Sequence, residues 1–207
     1  MSRSRFVLIS ALLSVCAAPV MATSIVMNGS FEDPSITGNY YECVPAYPGA
    51  CSGTTDVIPS ITGWTVGLTS VDVVQGPTWA EDGIQGIDMA GTPGPGSLTQ
   101  ILTTAAGTDY VLSFWVSSNG GPYTDSLTVD WDGIPVATVS SPVQGTWQEH
   151  FFSVTGTGSD TLAFIGNRGG NAGALLDNVN VDPVPEPATL GLIGAGLVFL
   201  ALRFRRR

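Results

Sequence analysis

Residues 109–118, DYVLSFWVSS, place Tyr110, Leu112, Phe114 and Val116 on one face and Ser113 and Ser117 on the other. That period of two is the mark of a half-buried strand. Shorter runs of the same kind predict strands at 23–28, 64–68, 70–75, 85–90, 97–103, 126–131, 134–139, 147–154, 161–165 and 174–181. Asp132-Gly133 lies between two of them and predicts a tight hairpin. Residues 91–96, GTPGPG, are a turn-rich break, and 32–62 is a long irregular segment. No helical period is sustained between residues 23 and 182, so the pattern predicts an all-β sandwich rather than a parallel α/β fold.

The two ends break this pattern. Arg3 and Arg5 precede an apolar run at 6–15, and Val20-Met21-Ala22 supplies a cleavage context. Residues 1–22 are therefore expected to be a signal peptide cut after Ala22. At the other end Val184-Pro185-Glu186-Pro187 is a stiff extended linker, because proline fixes its own φ and disfavours helix in the residue before it. Residues 188–202 carry no charge, and Arg203, Arg205, Arg206 and Arg207 close the chain. As a helix the uncharged run is about 22 Å long, short for a hydrocarbon core of roughly 30 Å. The arginines favour a cytoplasmic C-terminus. The expected organisation is a signal peptide at 1–22, a β-sandwich domain at 23–182, a linker at 183–187, and a transmembrane helix with a basic tail at 188–207.

Removing both ends sharpens the charge. Between residues 23 and 187 lie all 17 acidic side chains and one basic residue, Arg168, a net charge of −16, and the chain has no lysine. A phosphate backbone would be repelled, which excludes nucleic acid as a partner. Divalent cations would be attracted. After processing, Cys43 and Cys51 remain as an even pair in an oxidising compartment, with Pro45, Pro48 and Gly49 between them. They are expected to form a disulfide; the alternative, a metal pair, has no histidine nearby.

Catalytic chemistry finds little to work with. His150 is the only histidine and alternates with Phe152 and Val154 in an expected strand. No Gly-x-Ser-x-Gly elbow accompanies it, and without lysine there is no amine nucleophile. Asp130 and Asp132 would share one strand face as a carboxylate pair, but a chain so rich in acids brings such pairs together by chance. Aromatics are the better lead. Tyr40, Tyr41, Tyr47, Trp79 and Tyr123 fall in expected loops, where they could stack on sugar rings; the alternative is that they cover the sandwich edge. Trp64 and Trp131 are expected in the core.

The order Pro185-Glu186-Pro187, apolar run, Arg205-Arg206-Arg207 resembles the PEP-CTERM sorting signal of Gram-negative bacteria. Within 24–182, Asn28-Gly29-Ser30-Phe31-Glu32, Gly63-Trp64, Gly86-Ile87-Asp88-Met89 with Gly91, Gln100 in its strand, 110–119 and Leu176-Asp177-Asn178-Val179 occur in an order that resembles the choice-of-anchor C group and, at both ends, galactose-binding-like carbohydrate-binding modules. These resemblances imply a jelly-roll sandwich with adjacent first and last strands. They imply a protein exported across the inner membrane, held there as an anchored precursor, and cut near the Pro-Glu-Pro triplet by an exosortase-type membrane transpeptidase. The destination implied is the cell surface or beyond, in a setting of exopolysaccharide and biofilm. Adjacent end strands would bring Glu32 near Asp177, a possible pair of oxygen ligands for a structural Ca²⁺; the alternative is that both bond backbone amides. The function expected is that of a non-enzymatic surface or matrix protein, with a glycan-specific binding module as the alternative and an envelope hydrolase as the third reading.

Overall fold

Alternation sorts the central strands onto two facing sheets. The computed structural model describes residues 23–120, 125–185, 196 and 203–205. One antiparallel sheet has the order β1 (Tyr41–Pro45), β3 (Ser70–Gln75), β4 (Gln85–Asp88), β11 (Ala174–Pro183), β6 (Asp109–Ser118) and β9 (Gln148–Thr155). The other has the order β2 (Thr65–Leu68), β5 (Gly96–Thr103), β10 (Ser159–Gly166), β7 (Ser126–Trp131) and β8 (Ile134–Ser140). The all-β sandwich expected from the sequence is therefore the observed architecture. β7 and β8 turn at Asp132-Gly133, both with positive φ (54° and 74°), as a two-residue primed hairpin turn requires.

The core lies between the sheets and is crossed by a line of aromatic rings. Phe31 packs on Trp64 at 5.4 Å, Trp64 on Phe164 at 6.2 Å, and Phe164 edge-on to Phe114 at 5.1 Å. Phe114 then stacks on His150 and Phe152 of β9. Trp64 and Trp131 are both buried.

Two elements differ from expectation. Residues 23–28 do not form a regular strand. They lie beside β11 all the same: the Ile25 N–H donates to the Val181 carbonyl at 3.0 Å, and the Val181 N–H donates to Ser24 Oγ at 3.1 Å. Ladder pairing fails because β11 has a bulge between Asp177 and Asn180, with Asn178 at a φ of 48°. Gly29 fits into that bulge. Its carbonyl accepts the Val179 N–H at 2.9 Å, and a Cβ at Gly29 would stand 2.0 Å from the Val179 oxygen. The second difference is β1, which arises inside the segment read as irregular. Its neighbours lie in distant sequence: β3 on one side and, through an isolated parallel bridge from Cys43 to Val57, the chain at 56–58 on the other.

Cys43 and Cys51 form a disulfide that closes the loop after β1. Ala22–Val184 make up one compact unit, and Met1–Met21 with Pro185–Arg207 make up the other. Of the second unit's described residues, Gly196, Arg203 and Phe204 are helical. The rest of the expected span at 188–202 lies outside the described residues, and among the described residues no helix is long and apolar enough to cross a membrane.

The disulfide constrains an edge strand whose remaining partners are few. Replacing both cysteines, Cys43→Ser with Cys51→Ser, is expected to lower unfolding free energy by about 2–3 kcal/mol, the entropy of so short a loop, as read from denaturant midpoints.

Candidate functional site

Strict alternation stops at one place. β3, β4 and the first four residues of β11 are buried on both faces, apart from Gln75 at the end of β3. Their inward side chains, including Val71, Val73, Ile87 and Leu176, belong to the core. Asp72, Asp88 and Asp177 occupy the outward positions between them, and all three are buried. Over Asp177 the cover is the loop between β3 and β4, which folds back over the sheet. Gly86 lets it approach, since a Cβ there would stand 2.4 Å from the Trp79 carbonyl oxygen.

Two carboxylates from opposite ends of the sequence hold this loop. The Glu81 and Asp82 N–H groups donate to Asp177 Oδ2 at 2.7 and 2.9 Å, and the Asn178 N–H donates to Oδ1 at 2.7 Å. The Ile84 and Gln85 N–H groups donate to Glu32 Oε1 at 2.7 and 2.8 Å. Glu32 and Asp177 thus serve neighbouring stretches of one loop. Both Asp177 oxygens and Glu32 Oε1 face amide donors, which is the wrong polarity for a cation shell. Among the described residues no three His, Cys, Asp or Glu side chains gather to hold a metal. As arranged, the pair does not fit calcium.

The seated loop carries Trp79 and forms one wall of a cleft of about 240 Å³. Tyr40 and Tyr41 stand on the other side, with Val74 between. Tyr40 is 83% exposed, whereas the Tyr41 hydroxyl reaches Thr54 Oγ1 at 3.4 Å. The polar end is made by Asp72, Thr92, Asn119 and Asn171, drawn from β3 and three separate loops.

A carboxylate pair organises that polar end. Asp72 and Asp88 are direct cross-strand partners. Asp72 accepts the Thr92 N–H at 3.1 Å and the Thr92 hydroxyl at 2.7 Å. Asp88 accepts the Ala90 and Gly173 N–H groups at 2.8 and 3.0 Å, and Asn119 Nδ2 donates to its other oxygen. Asp88 therefore ties together the loops after β4, β6 and β10. Burial pushes the Asp72 carboxyl up to about 6 and Asp88 to about 7, against the pull of the donated hydrogen bonds. Burial likewise raises Asp177 to about 7. At the far end of the sandwich burial also acts on Asp160, but the Thr104 and Thr157 hydroxyls and the Thr157 N–H outweigh it and hold the carboxyl at about 2.

Of the aromatic side chains singled out in the sequence, Tyr40, Tyr41 and Trp79 meet in the cleft. Tyr47 is exposed in the disulfide loop and does not line it. Tyr123 lies outside the described residues, as do Ala22, Glu186, Pro187, Arg206 and Arg207. Pro185 and Arg205 are described and exposed. Asp72, Asp88, Thr92, Asn119 and Asn171 were not singled out as site residues; the signal available was acids inside otherwise apolar strands, SVDVVQ and QGID. His150 stacks on Phe114 from the core side, and desolvation lowers its pKa. Asp132 sits in the hairpin turn and accepts the Thr161 N–H at 2.7 Å, so it does not pair with Asp130 along a strand face.

The three raised carboxyls set the sign of the pH dependence. Between the ordinary value of 3.8 and about 7 the folded chain binds more protons than the unfolded one. Their stabilising contribution is complete at low pH and is lost as pH rises through 6 to 7. Asp160 contributes above the ordinary range and loses its effect only as pH falls towards 2. The melting temperature is thus expected to be higher near about pH 5 than near about pH 8, by roughly several degrees. Asp88→Asn should flatten that slope in scanning calorimetry, and EDTA should leave the melt unchanged.

Comparison with known proteins adds a sequence match at the C-terminus and looser likenesses elsewhere. Halomucin of Haloquadratum walsbyi is 31% identical over 188 residues, covering 87% of this chain; the chain spans 2% of halomucin's length. Among solved structures, TmCBM61 in complex with β-1,4-galactotriose superposes with a TM-score of 0.49 at 17% identity, covering 79% of this chain and 100% of that one. The CBM22-1 xylan-binding domain of Paenibacillus barcinonensis Xyn10C gives 0.48 at 20% identity, covering 67% of this chain and 92% of that one. A family 35 carbohydrate-binding module of Clostridium thermocellum gives 0.45 at 15% identity, covering 57% and 90%. Residues 183–207 match the PEP-CTERM protein-sorting motif, so the chain carries at its C-terminus the signal that marks exported proteins for processing at the membrane by an exosortase.

Proposed function

We propose that this chain is an exported, non-enzymatic surface or extracellular-matrix protein that binds polysaccharide through the cleft on its six-stranded sheet. The observation that carries the reading is the meeting of Tyr40, Tyr41 and Trp79 with Asp72, Asn119 and Asn171 in one open cleft. A pyranose ring offers C–H groups to an aromatic face and hydroxyls to amides and carboxylates, and the cleft presents both. Its rings are the exposed Tyr40 and the half-buried Tyr41 and Trp79, and the loop that carries Trp79 is held by the Asp177 and Glu32 carboxylates.

The chain ends support the same reading. The sandwich receives its N-terminal segment where Ile25 meets Val181, and releases its C-terminal one where the Val184 N–H donates to the Asp109 carbonyl at 2.8 Å. Both lie at the Pro183 end of β11, whereas Asn171 and Asn119 adjoin the Ala174 end. The setting that follows is passage across the inner membrane of a Gram-negative bacterium, recognition by an exosortase-type transpeptidase, and residence among exopolysaccharide or biofilm. Hydrolysis is the weaker reading, because Asp88 is sealed by three donors. Only one carboxylate of the pair reaches the cleft, where cleavage of a glycosidic bond calls for two.

Affinity electrophoresis through gels containing bacterial exopolysaccharides tests the binding directly. Retardation is expected, and Tyr40→Ala or Trp79→Ala should each weaken it roughly tenfold. Equal migration of wild type and both variants in every gel would overturn the reading. Intact-mass measurement of the protein from its host should show loss of residues 1–22, a shortened C-terminus near Pro185-Glu186-Pro187, and the Cys43–Cys51 bond.

A further inference from the structure

The charge inside the cleft narrows the ligand beyond "polysaccharide". Asp72 lines the cleft yet is only 4% exposed, so its carboxylate already stands out of water before any ligand arrives. Two donated hydrogen bonds, both from Thr92, occupy part of its roughly four acceptor sites. Directly across the ladder is a second buried carboxylate, Asp88. Among the described residues no basic side chain lines the cleft to balance them. The chain has no lysine, and Arg168, the only arginine between residues 23 and 187, bonds the buried Asp125 at 2.7 Å. A desolvated carboxylate with no cationic partner among the described residues, in a cleft also lined by Tyr40, Tyr41 and Trp79, favours a cation on electrostatic grounds and repels an anion.

We propose that the cleft selects a glycan bearing free amino groups, with the ring of a 2-amino-2-deoxy sugar stacked between Trp79 and Tyr40 and its ammonium placed against Asp72. This rests on the reading that the cleft binds glycan, and adds the class of sugar. The ammonium supplies three donors to a carboxylate with acceptor sites to spare. It also meets the negative potential of the Asp72–Asp88 pair at short range, where screening by salt is weak. Asn119 and Asn171 remain for the ring hydroxyls. N-acetylation would remove the charge and add bulk at the carboxylate. A uronate would bring a further negative charge against the Asp72 carboxylate.

The test compares three hexasaccharides by titration calorimetry with the full chain in detergent, at about 0.15 M salt to suppress general attraction to an acidic protein. The probes are the glucosamine hexamer, its fully N-acetylated form and hexagalacturonate. The glucosamine hexamer is expected to bind at least about tenfold tighter than the acetylated one, with no detectable binding of the uronate. Asp72→Asn should abolish the preference for the amine. Tyr40→Ala leaves net charge and fold in place, so loss of binding in that variant separates the cleft from diffuse attraction. If the acetylated hexamer binds as well as the amine or better, and Tyr40→Ala still removes binding, the amino-sugar inference is overturned while glycan binding stands. If Tyr40→Ala changes nothing for any probe, both are overturned. The comparison of acetylated with free amine needs no variant, so a folding defect in Asp72→Asn does not protect the proposal.

Discussion

The outer face of the six-stranded sheet depends on buried or half-buried carboxylates that receive backbone N–H groups. Asp177 and Glu32 together take five such groups, three from the loop between β3 and β4 and one from Gln85 at the start of β4, and thereby fix Trp79 over Gly86. Asp88 takes two more and an amide side chain, and so gathers three loops at the polar end of the cleft. A loop of this kind has unpaired amides that would otherwise have to remain in water. Buried acceptors satisfy them at the cost of desolvating the charge, which is why the Asp88 and Asp177 carboxyls are pushed up to about 7. The cleft therefore has a rigid floor, although most of what lines it comes from loops.

Much of the sandwich was legible because its signals are local. The alternation of residues 110–116 sets which face of β6 meets the core, and Asp132-Gly133 admits the positive φ that its turn needs. Failure came where distant parts of the chain decide. Residues 23–28 have the composition of a strand, but the bulge at Asp177–Asn180 leaves no continuous ladder for them. β1 contains Pro45 and a cysteine, and reads as a strand only once β3 and the chain at 56–58 lie on either side.

The site was half legible for a related reason. An aromatic in a polar, glycine-rich stretch is conspicuous by itself, so Tyr40, Tyr41 and Trp79 stand out. Nothing in their spacing says that they converge while Tyr47 turns elsewhere. Asp72 and Asp88 look like the solvent-facing members of alternating strands, and alternation assigns such positions to water. They are buried because loops from distant parts of the chain close on that face: Thr92 bonds Asp72, and Ala90, Asn119 and Gly173 bond Asp88.

That burial also changes what the composition means. A net charge of −16 over residues 23–187 reads as a surface that gathers divalent cations. Asp72, Asp88, Asp125, Asp160 and Asp177 have been withdrawn from that surface. Asp125 is matched by Arg168, and the other four by amide and hydroxyl donors. Counting formal charge thus overstates the field outside the protein and understates the field within it. The interior charge is not spread evenly: two of these carboxylates face each other on β3 and β4, and only one of those two touches the cleft. Acidity that composition assigns to solubility is, at that point, built into the floor of the candidate binding site.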